Sequence, residues 1–240
     1  MNIALIGYGK MGKTIEQIAL SRGHQISFIA DKDGFEASDL EGSDVAIEFT
    51  VPAAAAENIR KCAYSKTPVV VGTTGWYNQY KAIAKEIEQA GSALLTATNF
   101  SVGVNLFFEL NKRLAAMMNR FGDYDVEMEE IHHTQKLDAP SGTAITLAEG
   151  VLENLDRKNN WVSLTEGNTS DSEALNLNIV SKRIDDVPGT HQISYKSEID
   201  DIEIKHTAHN RQGFALGAVI AAEWLAGKQG IFTMSDVMSL

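Results

Sequence analysis

A glycine-rich turn close to the start of the chain restricts the possible folds more than any other feature. Residues 2–6 form a short apolar run that predicts a strand, and residues 10–21 carry apolar side chains at helical spacing. Between them lie Gly7, Gly9 and Gly12 in a G-x-G-x-x-G pattern. In a strand–turn–helix unit this pattern lets the backbone approach a pyrophosphate at the helix N-terminus. A purely structural glycine turn is the alternative, because the pattern alone is a weak signal.

The first hundred residues continue this alternation of strand and helix. Further strands are predicted over residues 25–30, 45–49, 68–71 and 93–97, and helices over residues 53–64 and 76–90. Strands that alternate with helices through short turns indicate a parallel sheet covered on both faces. Ligands of such sheets bind beyond the carboxyl ends of the strands. We therefore predict a Rossmann-like dinucleotide-binding domain of the α/β class.

The pattern changes in the second half of the chain. Helices are predicted over residues 102–121, 142–155 and 214–225, strands over 124–132, 175–183, 191–195 and 199–206, and a polar loop over 159–173. The last helix is apolar enough to pack back on the first domain. We predict that residues 1–100 and 211–240 form the dinucleotide-binding domain. Residues 101–210 are predicted to form an α+β domain with a mostly antiparallel sheet.

Residues at the predicted strand ends are candidates for contacts with a nicotinamide cofactor. The full set is Gly7, Tyr8, Gly9, Lys10, Met11, Gly12, Asp31, Lys32, Gly72, Thr73, Thr74, Ala97, Thr98, Asn99 and Phe100. Asp31 lies about 20 residues beyond the turn, where an acidic residue bonds the adenosine ribose, and it favours NAD unless it is only a solvated turn acid. Lys32 can instead accept the 2′-phosphate of NADP. Phe100 suits a nicotinamide contact and a core position equally well.

The segment 130–144 concentrates the polar chemistry of the chain and reads EIHHTQKLDAPSGTA. Its candidate site residues are His132, His133, Lys136, Gly142 and Thr143. Gly142 and Thr143 open a predicted helix, so their backbone amides can hold a carboxylate, although Ser141 can cap that helix instead. Lys136 can pair with a carboxylate or donate a proton. The segment therefore predicts a site for a small carboxylated substrate, to which His206, His209 and Arg211 can add charge.

The two adjacent histidines do not predict a metal centre. On a strand, His132 and His133 point to opposite faces, so they cannot easily bind one ion together. The sequence offers no convincing third ligand near them. We therefore predict no metal in this site.

Composition excludes several classes of protein. The net charge of −11 opposes binding to a nucleic-acid backbone. No apolar run approaches the roughly 18 residues of a membrane span. The chain has one cysteine, Cys62, whose apolar neighbours predict a buried helical position and which has no partner for an intrachain disulfide. The N-terminal residues do not resemble a secretory leader, so we expect a cytoplasmic protein that binds no nucleic acid and no membrane.

Several of these segments together resemble one enzyme family. Residues 130–144 closely resemble the signature of dihydrodipicolinate reductase, also called 4-hydroxy-tetrahydrodipicolinate reductase. The similarity extends over the whole chain through GYGKMG at 7–12, GTTG at 72–75, TNFSVGVN at 98–105 and FALGAV at 214–219. The segment HHTQKLDAPSGTA is the most specific of these motifs.

The resemblance implies an NAD(P)H-dependent reduction of 4-hydroxy-tetrahydrodipicolinate to tetrahydrodipicolinate with loss of water, in lysine and diaminopimelate biosynthesis. It implies that His132 is an acid–base group and that Lys136 is a proton donor. It implies that His133, Gly142 and Thr143 bind the cyclic dicarboxylate substrate and that the strand-end residues contact NADH or NADPH. It also implies a homotetramer joined through the sheet of the second domain.

Two departures from the family pattern concern loop geometry and cofactor preference. The glycine turn is one residue shorter than in many members, and Asp185 stands where the family often has glycine. Two other functions are compatible with the nucleotide domain: a different nicotinamide-dependent reductase, and a regulatory module that senses a nucleotide without turnover. The pair of proton donors beside a carboxylate site argues against the regulatory module.

Overall fold

The architecture was obtained from a computed structural model, which describes residues 1–165, 174–210 and 212–239. In chain order its strands and helices are β1 (Asn2–Ile6), α1 (Lys10–Ser21), β2 (Gln25–Ala30), β3 (Val45–Glu48), α2 (Pro52–Tyr64), β4 (Val69–Val71), α3 (Tyr80–Ala90), β5 (Ala93–Thr96), α4 (Val102–Met118), β6 (Asp125–His132), α5 (Gly142–Leu152), β7 (Asn160–Thr165), β8 (Asn176–Arg183), β9 (Gly189–Lys196), β10 (Asp201–Ala208), α6 (Gln212–Leu225), β11 (Gly230–Phe232) and α7 (Met234–Met238). They divide into two units, Met1–Val102 with Gln212–Leu240, and Gly103–Arg211.

The first unit contains a parallel six-stranded sheet in the order β11-β5-β4-β3-β1-β2. Alternate residues of β1 enter different apolar layers, because successive side chains of a strand point to opposite faces. Ile3 and Leu5 pack with α1 and α6 on one face, whereas Ala4 and Ile6 pack with α2 and α3 on the other. The predicted parallel sheet, covered on both faces, is therefore confirmed.

The second unit contains a mixed five-stranded sheet in the order β10-β9-β6-β8-β7. The β10–β9 and β9–β6 pairs are antiparallel, but the β6–β8 and β8–β7 pairs are parallel. The predicted α+β unit is confirmed, with a sheet that is mixed where a mostly antiparallel one was expected. Helix α5 follows β6 and supplies the crossover that lets β7 run parallel to it. An apolar layer formed with α4 and α5 includes Phe107, Leu147 and Ile179.

The predicted polar loop over residues 159–173 was also wrong in its first part. Residues 160–165 form β7, which pairs with β8 at one edge of the sheet. An edge strand has one neighbour and exposes polar side chains, so its composition resembles that of a loop. The remainder of that prediction, residues 166–173, lies outside the described residues.

Other differences concern the ends of elements. The helix predicted over 76–90 begins at Tyr80, after a 3₁₀ turn at Tyr77–Gln79. The helices predicted to end at residues 121 and 155 end at Met118 and Leu152. Cys62 is buried in α2, as predicted, and burial raises the pKa of its thiol. Within the described ranges, no helix is both long and apolar enough to span a bilayer.

Candidate active site

The glycine turn between β1 and α1 contains two glycines that packing requires and one that faces open space. Gly7 has φ +96°, and a Cβ on it would lie 2.1 Å from the Phe49 carbonyl oxygen. A Cβ on Gly12 would lie 2.2 Å from the Gly7 carbonyl oxygen, so both positions need glycine for packing. A Cβ on Gly9 would meet no atom within 4 Å. Gly9 therefore leaves open space beside the start of α1, which is the space that a pyrophosphate needs.

The N-terminus of α1 is suited to an anion. Gly9 is its N-cap, and among the described residues no side chain caps it and no acidic residue lies in its first turn. Its first amides and the helix dipole therefore favour a negative group. Lys10 is exposed and Met11 half-buried at this end of the helix. Tyr8 is held beside it, because its hydroxyl donates to Glu16 and Lys13 Nζ lies 5.7 Å from its ring centre.

The candidate ribose contact lies at the same edge of the sheet. The Gly7 amide donates to the carbonyl oxygen of Ala30 at 2.9 Å, which joins the glycine turn to the end of β2. Asp31 and Lys32 follow Ala30 directly, and both are exposed. The structure therefore brings the turn, the acidic residue and the lysine to neighbouring strand ends, available to a ligand.

The loops after β3 and β4 are joined by a buried carboxyl group that the sequence analysis did not single out. Glu48 is 0% exposed, and Thr50 donates its hydroxyl to it. The Thr50 amide donates to Thr73 Oγ1 at 2.7 Å. Burial raises the pKa of Glu48, although bonds from Thr50, Thr73 and Asn58 oppose the change. An acidic residue at the end of an otherwise apolar strand is the signal that could have identified it.

The other predicted cofactor residues occupy varied environments. Gly72 packs under Phe49, whose ring would lie 2.1 Å from a Cβ there, whereas Thr74 is exposed. After β5, Ala97 is half-buried and Thr98 exposed, and Asn99 Oδ1 accepts from the Ser101 amide at 2.9 Å. Phe100 is 2% exposed, and its ring packs 5.8 Å from that of Phe49. Of the two alternatives for the Phe100 side chain, the structure shows the core position.

In the second unit, polar residues end the inward face of β6. The residues of β6 alternate between exposed or half-buried and buried, and the buried ones are Val126, Met128, Glu130 and His132. A face that begins with apolar side chains thus ends with a carboxylate and an imidazole. Glu130 had received no role from the sequence, although this alternation could have revealed it as an inward-facing acid.

Glu130 is 0% exposed and both of its oxygens have partners. Oε1 lies 3.1 Å from an Arg183 guanidinium nitrogen, and Oε2 accepts from the Ser141 amide at 3.0 Å. The same Oε2 lies 3.4 Å from Nδ1 of His132. Burial by itself raises the pKa of Glu130, but its contacts with His132 and Ser141 outweigh burial and leave the pKa well below its usual range. Glu130 is therefore an ionised group inside the unit.

His191, which sequence reasoning also missed, completes this cluster from β9. Its ring stands at 70° to that of His132 with centres 5.1 Å apart, and its Nε2 lies 3.2 Å from Ser141 Oγ. Burial, followed by the nearby His132, lowers the pKa of His191 to about 4. On the other side, a Cβ on Gly189 would lie 3.1 Å from His132 Nε2. The His132 ring is thus enclosed by groups from several strands.

Donor atoms of Glu130, His132 and His191 lie within 4.8 Å of one another, a separation that could suit a metal ion. His191 is the third donor that the sequence did not reveal. The carboxylate, however, already bonds the Arg183 guanidinium and the Ser141 amide. Its charge is therefore balanced by the protein itself, which favours an ion-pair network over a metal centre.

Lys136 lies in the turn that follows β6. Its Nζ donates to both carboxylate oxygens of Asp138, at 2.8 and 2.9 Å, and this contact lowers the pKa of Asp138. The Lys136 amide donates to the His133 carbonyl oxygen at 3.0 Å. Asp185, the departure from the family pattern, accepts from the Thr134 hydroxyl at 2.5 Å. Asp185 thus helps to hold the turn that carries Lys136.

The start of α5 adjoins this turn. Ser141 is its N-cap and accepts from the Ala144 amide at 3.2 Å, a cap that is compatible with an anion at the first turn of the helix. Gly142 is exposed and a Cβ there would meet no atom within 4 Å, while Thr143 is half-buried. His206 pairs with His191 across β10 and β9, and its pKa is lowered by burial. His209 is exposed, and Arg211 lies outside the described residues.

Comparisons with known proteins show the family of the chain. The family models described as "Dihydrodipicolinate reductase, N-terminus" and "Dihydrodipicolinate reductase, C-terminus" match residues 1–100 and 103–238. A 4-hydroxy-tetrahydrodipicolinate reductase of Christiangramia forsetii is 53% identical over 241 residues, which cover 100% of this chain and 98% of the relative. The chain belongs to the dihydrodipicolinate reductase family. It is a nicotinamide-dependent oxidoreductase that reduces 4-hydroxy-tetrahydrodipicolinate in lysine and diaminopimelate biosynthesis.

More distant members of the dihydrodipicolinate reductase family give the same result. The 4-hydroxy-tetrahydrodipicolinate reductase of Geobacter sulfurreducens is 35% identical over 258 residues, covering 97% of this chain and 96% of the relative. Among solved structures, the dipicolinate-bound dihydrodipicolinate reductase of Paenisporosarcina sp. TG-14 superposes with a TM-score of 0.81 at 23% identity, with 98% of each chain covered. That similarity confirms the fold, an α/β unit with a second mixed-sheet unit.

Proposed function

We propose that His132 and Lys136 are the proton-transferring groups of this reductase. His132 ends β6 and Lys136 lies in the turn that leads to α5, so both belong to one short segment beside a helix N-terminus. The observation that carries the proposal is the buried carboxylate of Glu130, which lies 3.4 Å from Nδ1 of His132. An imidazole oriented through one nitrogen is suited to exchange a proton at the other.

We propose that one carboxylate of the cyclic substrate rests on the amides of Gly142 and Thr143, with His133 beside it. The open surroundings of Gly142 and the positive end of the α5 dipole support this placement. Lys136 Nζ supplies a proton to the reduced ring and His132 acts as the acid–base partner. Donors held in place before the reaction stabilise charge as it develops, which is usually a large part of catalysis.

The residues of the first unit fit a nicotinamide dinucleotide, which supplies hydride when bound. We propose that residues 7–12 hold the pyrophosphate, because Gly9 leaves space at an uncapped helix start. Residues 72–74 and 97–100 are proposed to contact the nicotinamide end. Asp31 accepts from the adenosine ribose and Lys32 pairs with a 2′-phosphate, and the exposure of both side chains supports use of NADH and NADPH.

We further propose a cytoplasmic homotetramer joined through the sheet of the second unit. The support for this interface is β10, an edge strand of that sheet with mostly exposed side chains. Unpaired strand edges readily pair with another chain. Light scattering after size exclusion measures the number of subunits, and cell fractionation measures the location.

A coupled assay tests the proposed roles. The synthase that condenses pyruvate with aspartate semialdehyde generates the unstable substrate, and loss of reduced-nicotinamide absorbance reports turnover with NADH and then with NADPH. Turnover that requires both enzymes, and that falls in variants of His132 and Lys136, supports the assignment. Unchanged turnover in both variants would show that other groups transfer the protons.

A further inference from the structure

Glu130 and Arg183 form an ion pair beside the proposed catalytic residues. Both side chains also bond backbone groups of the neighbouring turn and helix start. We propose that Glu130 is a positioning residue of the reaction, which holds the His132 imidazole, the start of α5 and, through Arg183, the turn that carries Lys136. This inference rests on the roles proposed above for His132 and Lys136 and assigns the group that aligns them.

The two carboxylate oxygens of Glu130 contact different groups. Oε2 accepts from the Ser141 amide at 3.0 Å, and Ser141 is the N-cap of α5. Its bond therefore fixes the first turn of the helix, where Gly142 and Thr143 present their amides. A negative group at this end also complements the helix dipole. Loss of the charge should loosen the proposed carboxylate site.

The second oxygen reaches the lysine turn through a guanidinium. Arg183 bonds Oε1 at 3.1 Å and donates to the Asp138 carbonyl oxygen at 2.6 Å. Its Nε also donates to the Lys136 carbonyl oxygen at 3.3 Å. The planar fork of an arginine is rigid, so one carboxylate can set the orientation of both backbone contacts. The Arg183 side chain thus links the turn that carries Lys136 to Glu130 of β6.

His132 is the third group that Glu130 aligns. Nδ1 lies 3.4 Å from the carboxylate in a charge contact without a hydrogen bond, and the negative charge favours the proton on that nitrogen, which leaves Nε2 to exchange protons. Nε2 faces the space that a side chain at residue 189 would fill, 3.1 Å from the position of its Cβ. Glycine at 189 therefore leaves room beside that nitrogen, and the charge of Glu130 favours the ring orientation that places Nε2 there.

The charged and titratable groups around His132 come from three strands and the turn. Glu130 lies on β6, Arg183 on β8, His191 on β9, and Lys136 and Asp138 lie in the turn. Ser141 of α5 contributes no charge. Burial keeps His191 neutral near pH 7, since its pKa is about 4. The charge of Glu130 is therefore directed to His132 and Arg183.

Glu130→Gln is the test, and Glu129→Gln is its matched control. Glu129 is the preceding residue on β6, points to the other face, and pairs with Lys182 of β8 at 2.5 Å. Both substitutions thus remove one carboxylate charge from a pair between the same two strands. For Glu130→Gln we expect kcat to fall by up to about 10⁴-fold, as when an orienting carboxylate is replaced by an amide. The fall in kcat should exceed any rise in KM, and the dissociation constant of NADH should not change.

Three results separate the possible failures. A Glu130→Gln variant with wild-type kcat, while His132→Ala loses turnover, overturns the positioning role alone. Full turnover in His132→Ala overturns the proposed function beneath it. Because Glu130→Gln leaves Arg183 without its partner, Glu130→Gln with Arg183→Gln is made as well. If this double variant regained stability and kcat together, Glu130 would have only a structural role, whereas stability without kcat supports positioning. The nitrogen chemical shifts of the His132 ring, which distinguish its two tautomers, test the orienting effect of Glu130 independently of turnover.

Discussion

The same added methyl group should have different effects at two glycines of the first turn: at Gly12 it should lower stability, and at Gly9 it should lower the affinity for NADH. In Gly12→Ala the Cβ would lie 2.2 Å from the Gly7 carbonyl oxygen, which is backbone and cannot turn aside. In Gly9→Ala the Cβ would meet nothing within 4 Å. The first substitution therefore perturbs packing, whereas the second fills part of the open space without a steric clash.

The magnitudes follow from these contacts. Overpacking costs about 1–3 kcal/mol, and alanine returns up to about 1 kcal/mol of helix propensity. Because the Gly7 carbonyl cannot turn aside, the overpacking cost lies near its upper value, and Gly12→Ala should lower the free energy of unfolding by about 2 kcal/mol and Tm by roughly 4–8 °C for a chain of this length. Gly9→Ala should lower the free energy of unfolding by roughly 0.5–1 kcal/mol, because alanine is a poorer N-cap than glycine. Its dissociation constant for NADH should rise at least about tenfold, or 1.4 kcal/mol.

The assays are thermal unfolding without ligand and calorimetric titration with NADH. Each variant is the control for the other, since the substitution is identical and the positions are three residues apart on one turn. Unchanged NADH affinity in Gly9→Ala would refute the assignment of the turn as the pyrophosphate site. Wild-type stability in Gly12→Ala would refute the packing argument instead.

Three further predictions concern both units. His132→Ala and Lys136→Ala should each lower kcat by about 10²–10⁴-fold in the coupled assay and leave NADH affinity unchanged, which calorimetry measures. His191 has a folded-state pKa of about 4 against an ordinary 6.5, so the unfolded chain binds its proton first as the pH falls. Its stabilisation, about 3 kcal/mol at neutral pH, should therefore be lost between pH 6.5 and 4. Urea unfolding at several pH values should show this slope, and His191→Gln should flatten it. Asp31→Ala should raise KM for NADH more than for NADPH, and Lys32→Ala should do the reverse; equal changes for both cofactors would contradict the ribose assignment.

Much of the fold could be predicted because its signals are local. The strand, turn and helix over residues 2–21 depend on side-chain spacing along a single segment, and the structure reproduces their bounds. The parallel sheet of the first unit follows from the same alternation. The mixed sheet of the second unit was not predicted, because the partner of a strand is chosen by crossover connections and by register. Strand β7 was missed since an edge strand tolerates polar residues.

The candidate site shows the same division between local and long-range information. The sequence alone determined which chemical groups are present, because an imidazole pair, a lysine and a helix-opening turn are contiguous between residues 130 and 144. Only the tertiary structure decided which of them are buried and what they face. Glu130, Arg183 and His191 lie on three different strands and meet because β6 is the strand between β8 and β9. Pairing register sets such contacts, and no pattern within one segment encodes it.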